Sequence, residues 1–252
     1  MRAILFDYGG TLDYPRHWLD RFLAHYQAAG LGLSRAQLDR GFAHATRMAY
    51  RATADLRQFG LEEIVNYLVR TQVAFLADNG DSVTRGVIAD ARREGRLAEA
   101  MARIVAGFVA ESRAGMEASR AVLSVLAPRY AMGVVSNFYG NLERVLDEAG
   151  LGGFFAVVAD SSRVGSFKPD PGIFAYALEK IGAPAQSAAM VGDSIEKDCA
   201  PARRLGMTAI WLPGIDRLDR DCVANNANEV DFTIRELAEL KSLQWRCESA
   251  ER

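Results

Sequence analysis

The chain has 252 residues, of which 50% are hydrophobic and 25% charged, an ordinary globular composition long enough for one large domain or for a core carrying an insertion. Thirty basic against thirty-two acidic side chains leave a net charge of -2, which excludes the broad positive field that nucleic acid or an anionic membrane surface would require. No apolar stretch approaches the roughly 20 residues of a membrane span, and Cys199, Cys222 and Cys247 make neither an even set nor a Cys-x-x-Cys pair, so a cytoplasmic protein without disulfides is expected.

The first element is the short apolar run RAILF, a buried strand by its pattern, which stops at Asp7 and breaks into Gly9, Gly10 and Thr11. A carboxylate ending a buried strand, followed by a tight turn whose backbone N–H groups point outward, forms a geometry that accepts an anion. The same residues also suit a plain strand-ending turn with a solvated Asp. From about Tyr14 to Arg113 there is no strand-like run. Instead HWLDRFLAHYQAAG, SRAQLDRGFAHATRMAYRATADL and LEEIVNYLVRTQVAFLADNG carry long helical patterns. Residues 15–113 therefore read as an all-helical insertion, placed most economically as a cap over the carboxyl ends of the strands, with 1–14 and 114–252 as the core.

Beyond the insertion, YAMGVVS, FFAVVAD, AAMVGD and MTAIWL repeat the pattern of buried strands. Helical spacings fill the intervals Gly115 to Ala127, Asn141 to Ala149, Pro171 to Ile181 and Ile195 to Leu205. Asn141 is placed as an N-cap, and Pro171 as a first-turn proline behind Asp170. Alternation of strand and helix predicts a doubly wound parallel α/β sheet. The final QWRCESAER is polar and is expected to fray.

Four stretches carry possible chemistry: Asp7 with its glycine turn, Ser136 and Asn137 at the end of VVSN, Lys168 in SFKPDP, and Asp193 with Asp198 in MVGDSIEKD. Singly, each has an ordinary reading: a strand-end turn, a solvated lysine, an acid at a helix start. They fall in order at the carboxyl ends of successive strands, and a parallel sheet puts those ends on one rim. Carboxylates gathered there repel one another unless a hard, oxygen-liganded divalent cation sits among them, and magnesium is the natural candidate.

FDYGGTL, VVSN, FKPDPGIFAYAL and MVGDSIEKDCAPARRLGMTAIWL together resemble the haloacid dehalogenase superfamily of phosphatases and related enzymes, over most of the expected core. The resemblance implies an Asp7 nucleophile that becomes an aspartyl-phosphate, with Ser136 binding the phosphoryl group and Lys168 steadying both. Asn137, Gly10 and Thr11 complete the expected substrate contacts. Magnesium is implied on Asp7, Asp193, Asp198 and the Gly9 carbonyl, and the helical insertion resembles the cap of one large subgroup.

One position departs from the pattern. Phosphatases of this family usually carry a second Asp two residues after the nucleophile, which protonates the leaving oxygen, and here that residue is Gly9. General acid–base help is worth about 10²- to 10⁴-fold, so poor leaving groups should react slowly unless Asp13, His17 or Tyr8 substitutes. The leading expectation is a magnesium-dependent phosphohydrolase of a small phosphorylated metabolite. A carbon–halogen hydrolase, or a weakly catalytic protein that binds a phosphorylated ligand and regulates a partner, are the alternatives. Replacing Gly9 by Asp is expected to leave hydrolysis intact or raise it.

Overall fold

The computed structural model describes residues 1–214 and 228–243. Cys222, Cys247 and the QWRCESAER tail lie outside the described residues. The strands are β1 (Ala3–Phe6), β2 (Ala131–Ser136), β3 (Val157–Asp160), β4 (Ala188–Gly192), β5 (Thr208–Trp211) and β6 (Phe232–Thr233). They form one parallel sheet in the order β3-β2-β1-β4-β5-β6, so the chain order reverses at β1. In such a sheet the crevice at the reversal is where ligands bind. Five of the six strands among the described residues fall on the predicted runs; the sixth, β6, spans two residues and is too short to leave a periodic signal.

Alternation along β1 divides the core. Ile4 and Phe6 join the large cluster that continues into the helical segment, whereas Ala3 and Leu5 face Ile173, Phe174 and Ala177 on the opposite side. The helices on the chain between β1 and β2 are α1 (Trp18–Ala28), α2 (Arg35–Arg51), α3 (Thr53–Leu56), α4 (Leu61–Asn79), α5 (Ser82–Arg93) and α6 (Leu97–Leu126). Helix α4 packs against α2 and α6, and α1 against α6. The 30 residues of α6 run unbroken through position 113, about 45 Å at 1.5 Å per residue. One rod thus belongs both to the helical segment and to the sheet's own packing. Among the described residues no helix is long and apolar enough to cross a membrane.

Two local readings change. After β2 come α7 (Leu142–Glu148), α8 (Ser161–Val164), α9 (Pro171–Ile181) and α10 (Ala200–Arg204). The expected helix from Ile195 is wide at first, with Cys199 N–H donating to the Ser194 carbonyl five residues back at 3.2 Å, before α10 proper begins. Pro201 is the cause, since its ring displaces the carbonyl four residues earlier and it has no N–H to give.

The cap of α7 is not Asn141, whose side chain makes no capping bond; its Nδ2 instead donates to the Phe59 carbonyl at 2.9 Å. Asp160, at the end of β3, takes over: Oδ2 accepts from Gly140 N–H at 2.8 Å and Leu142 N–H at 3.2 Å, and Oδ1 from Ser162 N–H at 3.0 Å. Asp170 does cap α9, accepting from Gly172 N–H at 2.7 Å with Pro171 in the first turn. Asp160→Ala is expected to cost about 3 kcal/mol, because buried N–H groups lose a charged acceptor, and Asn141→Ala about 1 kcal/mol. Chemical denaturation of both variants checks the order, and a larger loss at Asn141 would contradict this assignment.

Candidate active site

Asp7 leaves β1 with its N–H on the Val191 carbonyl of β4 at 2.9 Å, which fixes it at the rim beside the end of that strand. Its Oδ1 accepts from Ser136 Oγ at 2.8 Å and from Lys168 Nζ at 2.8 Å. The same ammonium reaches Asp198 Oδ1 at 2.6 Å, and Asp198 Oδ2 accepts from Ser194 N–H at 3.0 Å. Asp7, Ser136, Lys168 and Asp198 are all buried. Burial pushes the Asp198 carboxyl up to about 6, with Lys168 opposing that rise. Burial alone would lower Lys168, but Asp198 and then Asp7 outweigh it and hold the ammonium charged above its usual range.

Lys168 is aimed by Asn137, whose amide spends both ends on the lysine's backbone: Nδ2 donates to the Lys168 carbonyl at 2.9 Å and Oδ1 accepts its N–H at 2.7 Å. Asp193 completes the group. One carboxylate oxygen from each of Asp7, Asp193 and Asp198 lies within 4.8 Å of the others, and Trp211 Nε1 holds the Asp193 carbonyl at 3.0 Å. Three buried acids against one lysine leave room, in charge and in donor type, for a hard divalent cation.

The glycine turn works differently from a simple anion nest. Gly10 N–H donates to Asp13 Oδ1 at 2.8 Å. Gly10 has φ +86°, and a Cβ there would stand 2.5 Å from Asp193 Oδ2, so this glycine makes space for an acid. The Thr11 hydroxyl is buried, and neither Gly10 nor Thr11 lines the cavity at the rim. A Cβ on Gly9 would meet Trp18 Nε1 at 3.1 Å. The indole therefore stands against the position where the family's usual acid would begin.

Of the three candidate replacements, two are spent on structure. Tyr8 is fully buried with its hydroxyl on Met116 Sδ at 3.7 Å, and burial pushes the phenol well above its usual value. Asp13 is also fully buried: besides Gly10 it accepts from Trp18 Nε1 at 2.8 Å and pairs with the Arg21 guanidinium. Burial pushes its carboxyl up while Arg21 opposes. Arg21 continues to Glu111 at 2.8 Å, tying the loop after Asp7 to α1 and α6. His17 alone of the three lines the cavity.

That cavity, of about 330 Å³, is bounded on one side by Asp7, Ser136, Lys168 and the Asp193–Asp198 loop, and on the other by Trp18, Phe42, Thr46 and Tyr50. Phe138 and Tyr139, directly after VVSN, close it. None of these wall residues was singled out from the sequence. A signal existed at 42, 46 and 50, whose spacing of four puts them on one face of α2.

A doubly wound parallel sheet that gathers a strand-end carboxylate, a lysine and two more acids at its reversal point defines a class of hydrolase built around an acidic, lysine-bridged rim. The chain belongs to the haloacid dehalogenase-like hydrolases, whose family model matches residues 1–206. It is 31% identical over 215 residues to haloacid dehalogenase-like hydrolase domain-containing protein 3 of Danio rerio, covering 84% of this chain and 85% of that one. A phosphoserine phosphatase of Thermus thermophilus is 41% identical over 83 residues, 32% of this chain and 33% of its own length. The pyrimidine 5'-nucleotidase YjjG of Escherichia coli is 32% identical over 124 residues, 48% of this chain and 53% of its own. In fold, the chain is similar to a HAD phosphatase from Thermococcus onnurineus (TM-score 0.51, 23% identity, 96% and 97% covered). It is likewise similar to the L-2-haloacid dehalogenase from Xanthobacter autotrophicus (TM-score 0.56, 18% identity, 96% and 98% covered).

The two glycines should differ on substitution. Gly10→Ala combines a left-handed backbone with a clash on Asp193 and is expected to cost about 2 kcal/mol or more; Gly9→Ala asks only that the Trp18 indole give way, at about 1 kcal/mol. Denaturation midpoints read the order, and the reverse order would remove Trp18 as the occupant of that space.

Proposed function

We propose that this hydrolase is a magnesium-dependent phosphohydrolase of a small phosphorylated metabolite, with Asp7 as the nucleophile. The observation that carries the reading is the buried cluster of Asp7, Asp193 and Asp198 bridged by Lys168. Phosphatase relatives matched over part of the chain support it. Asp7, Asp193 and Asp198 would hold magnesium together with the Gly9 carbonyl, and when bound the ion would offset the charge of the incoming phosphoryl group.

Everything else falls to the protein. Ser136 and Lys168, both on Asp7 Oδ1, fix the plane of the carboxylate, so that it approaches phosphorus in one orientation. Asp7 attacks, the bond to the leaving oxygen breaks, and water later releases phosphate from the aspartyl-phosphate. Lys168 gives the three phosphoryl oxygens a fixed positive charge in a site from which bulk water is largely excluded. The helical segment, residues 15–113, acts as a cap: Trp18, Phe42, Thr46 and Tyr50 face the nucleophile across the cavity and would select the leaving group.

Phosphate release from p-nitrophenyl phosphate and a panel of sugar, nucleotide and acyl phosphates, with magnesium and with chelator, tests the reading. Turnover is expected only with the metal. Silence across the panel would refute it, and halide release from 2-haloacids without metal would replace it. Asp7→Asn is expected to abolish turnover, and Lys168→Ala to lower kcat by about 10²-fold or more. Asp193→Asn should weaken magnesium binding at least about tenfold by titration calorimetry.

A further inference from the structure

Resting on the phosphohydrolase reading, we infer that the substrate is the phosphate monoester of a planar aromatic hydroxyl compound, a phenol or hydroxy-heterocycle, whose ring lies among Trp18, Phe42, Tyr50, Phe138 and Tyr139. Two separate observations lead there, one from the wall of the cavity and one from its supply of protons.

The wall is aromatic on both the helical and the sheet side. Tyr50 from the helical side and Tyr139 from the sheet side are in ring contact at the cavity's edge, centroids 5.2 Å apart, and Trp18 stands edge-on to Phe138 at 5.8 Å. From the helical side come His17, Trp18, Phe42, Thr46 and Tyr50, with no lysine or arginine among the described lining residues. The lysines on the cavity, Lys168 in a loop and Lys197 in the wide helical turn after β4, both stand at the sheet's rim beside the carboxylates. A second phosphate or a carboxylate on the leaving group would meet no cation on the wall it faces. A flat, uncharged ring is matched there by edge and face contacts.

The second observation is the set of groups beside the leaving oxygen. Gly9 has no acid, and the Trp18 indole occupies the approach to its α-carbon. Asp13 and Tyr8 are buried away from the cavity. His17 Nδ1 accepts the Leu19 N–H at 3.2 Å, which places the imidazole proton on Nε2. The neutral ring can give a hydrogen bond, but it becomes the imidazolium that a general acid needs only by surrendering the cap of α1. Glu196, which lines the cavity besides Asp7, Asp193 and Asp198, is exposed in the wide helical turn beside Asp198.

An aryl leaving group removes the need. An Asp7 oxygen bonds to phosphorus as the phosphorus–aryl oxygen bond breaks, and the bonding pair departs with the phenoxide, which takes a proton from solvent. Water then attacks the acyl phosphate, giving inorganic phosphate and a proton and restoring the carboxylate. A phenol titrates near 10, as tyrosine does, several units below an aliphatic alcohol, so its anion leaves unaided.

The test compares phenyl phosphate, benzyl phosphate and glycerol phosphate with the full-length protein at saturating magnesium. Benzyl phosphate keeps the ring but leaves as an alkoxide, so it separates stacking from leaving-group acidity. Phenyl phosphate is expected to exceed benzyl phosphate in kcat/KM by about 10²-fold or more, the loss an unassisted alkoxide incurs. Tyr50→Leu and Phe42→Leu, each confirmed folded by circular dichroism, are expected to raise KM for phenyl phosphate about 2- to 10-fold, and to raise it more for phenyl phosphate than for glycerol phosphate. Benzyl or glycerol phosphate turned over as fast as phenyl phosphate would overturn this inference and leave the phosphohydrolase standing. An unchanged KM in both variants would overturn it as well. No turnover of any phosphate ester would fell the underlying reading instead.

Discussion

Three carboxylates and one ammonium meet, buried, at the floor of one cavity, and that charge arrangement sets the terms for the rest of the molecule. Asp7, Asp193 and Asp198 repel one another, and Lys168 is bonded to two of them. A buried cluster of this kind is costly to assemble and gains its value from what it can bind and stabilise. The surrounding structure is therefore devoted to holding the charges where they are. Asn137 grips the backbone of Lys168 from both sides, Ser194 N–H caps Asp198, and Trp211 fixes the backbone of Asp193.

The loop after Asp7 is anchored with equal care from the helical side. Asp13 reaches back to Gly10 N–H and forward to Trp18 and Arg21, and Arg21 continues to Glu111 on α6. A rigid chain of charge-assisted bonds thus runs from the active-site turn into the helices that wall the cavity. Such fully satisfied buried networks specify one arrangement of loop and helix. The same network lodges the Trp18 indole beside Gly9, so the missing acid and the aromatic wall have one structural cause. An acid at position 9 and this indole would compete for one volume.

Much of the site was legible because a parallel sheet makes its chemistry periodic. Four of the five apolar runs ended in a small or acidic polar residue, and parallel register carries such ends to one rim, so the pattern alone placed Asp7, Ser136 and Asp193 together. The same signal is ambiguous, however. Asp160 also ends a buried strand, yet its oxygens are bonded to the N–H groups of Gly140, Leu142 and Ser162, and it serves as a cap. Asn141 looked like that cap because its residue type and position suited the role. A carboxylate arriving from the neighbouring strand took the N–H groups instead, which no reading of adjacent residues could foresee.

The sequence by itself determined five strands of the sheet, their helical partners, the long helical stretch before the second strand, and the acids and lysine that could carry chemistry. These follow from hydrophobic period and from residues a few positions apart, which short-range geometry fixes. Only the tertiary structure decided which polar groups meet: that Asn137 serves Lys168, that Asp13 and Tyr8 are walled away, and that Phe42, Thr46 and Tyr50 look across at Asp7. Those pairings join residues far apart along the chain. They are settled by how whole elements pack and by which donor reaches a buried acceptor first, quantities that no local window of sequence contains.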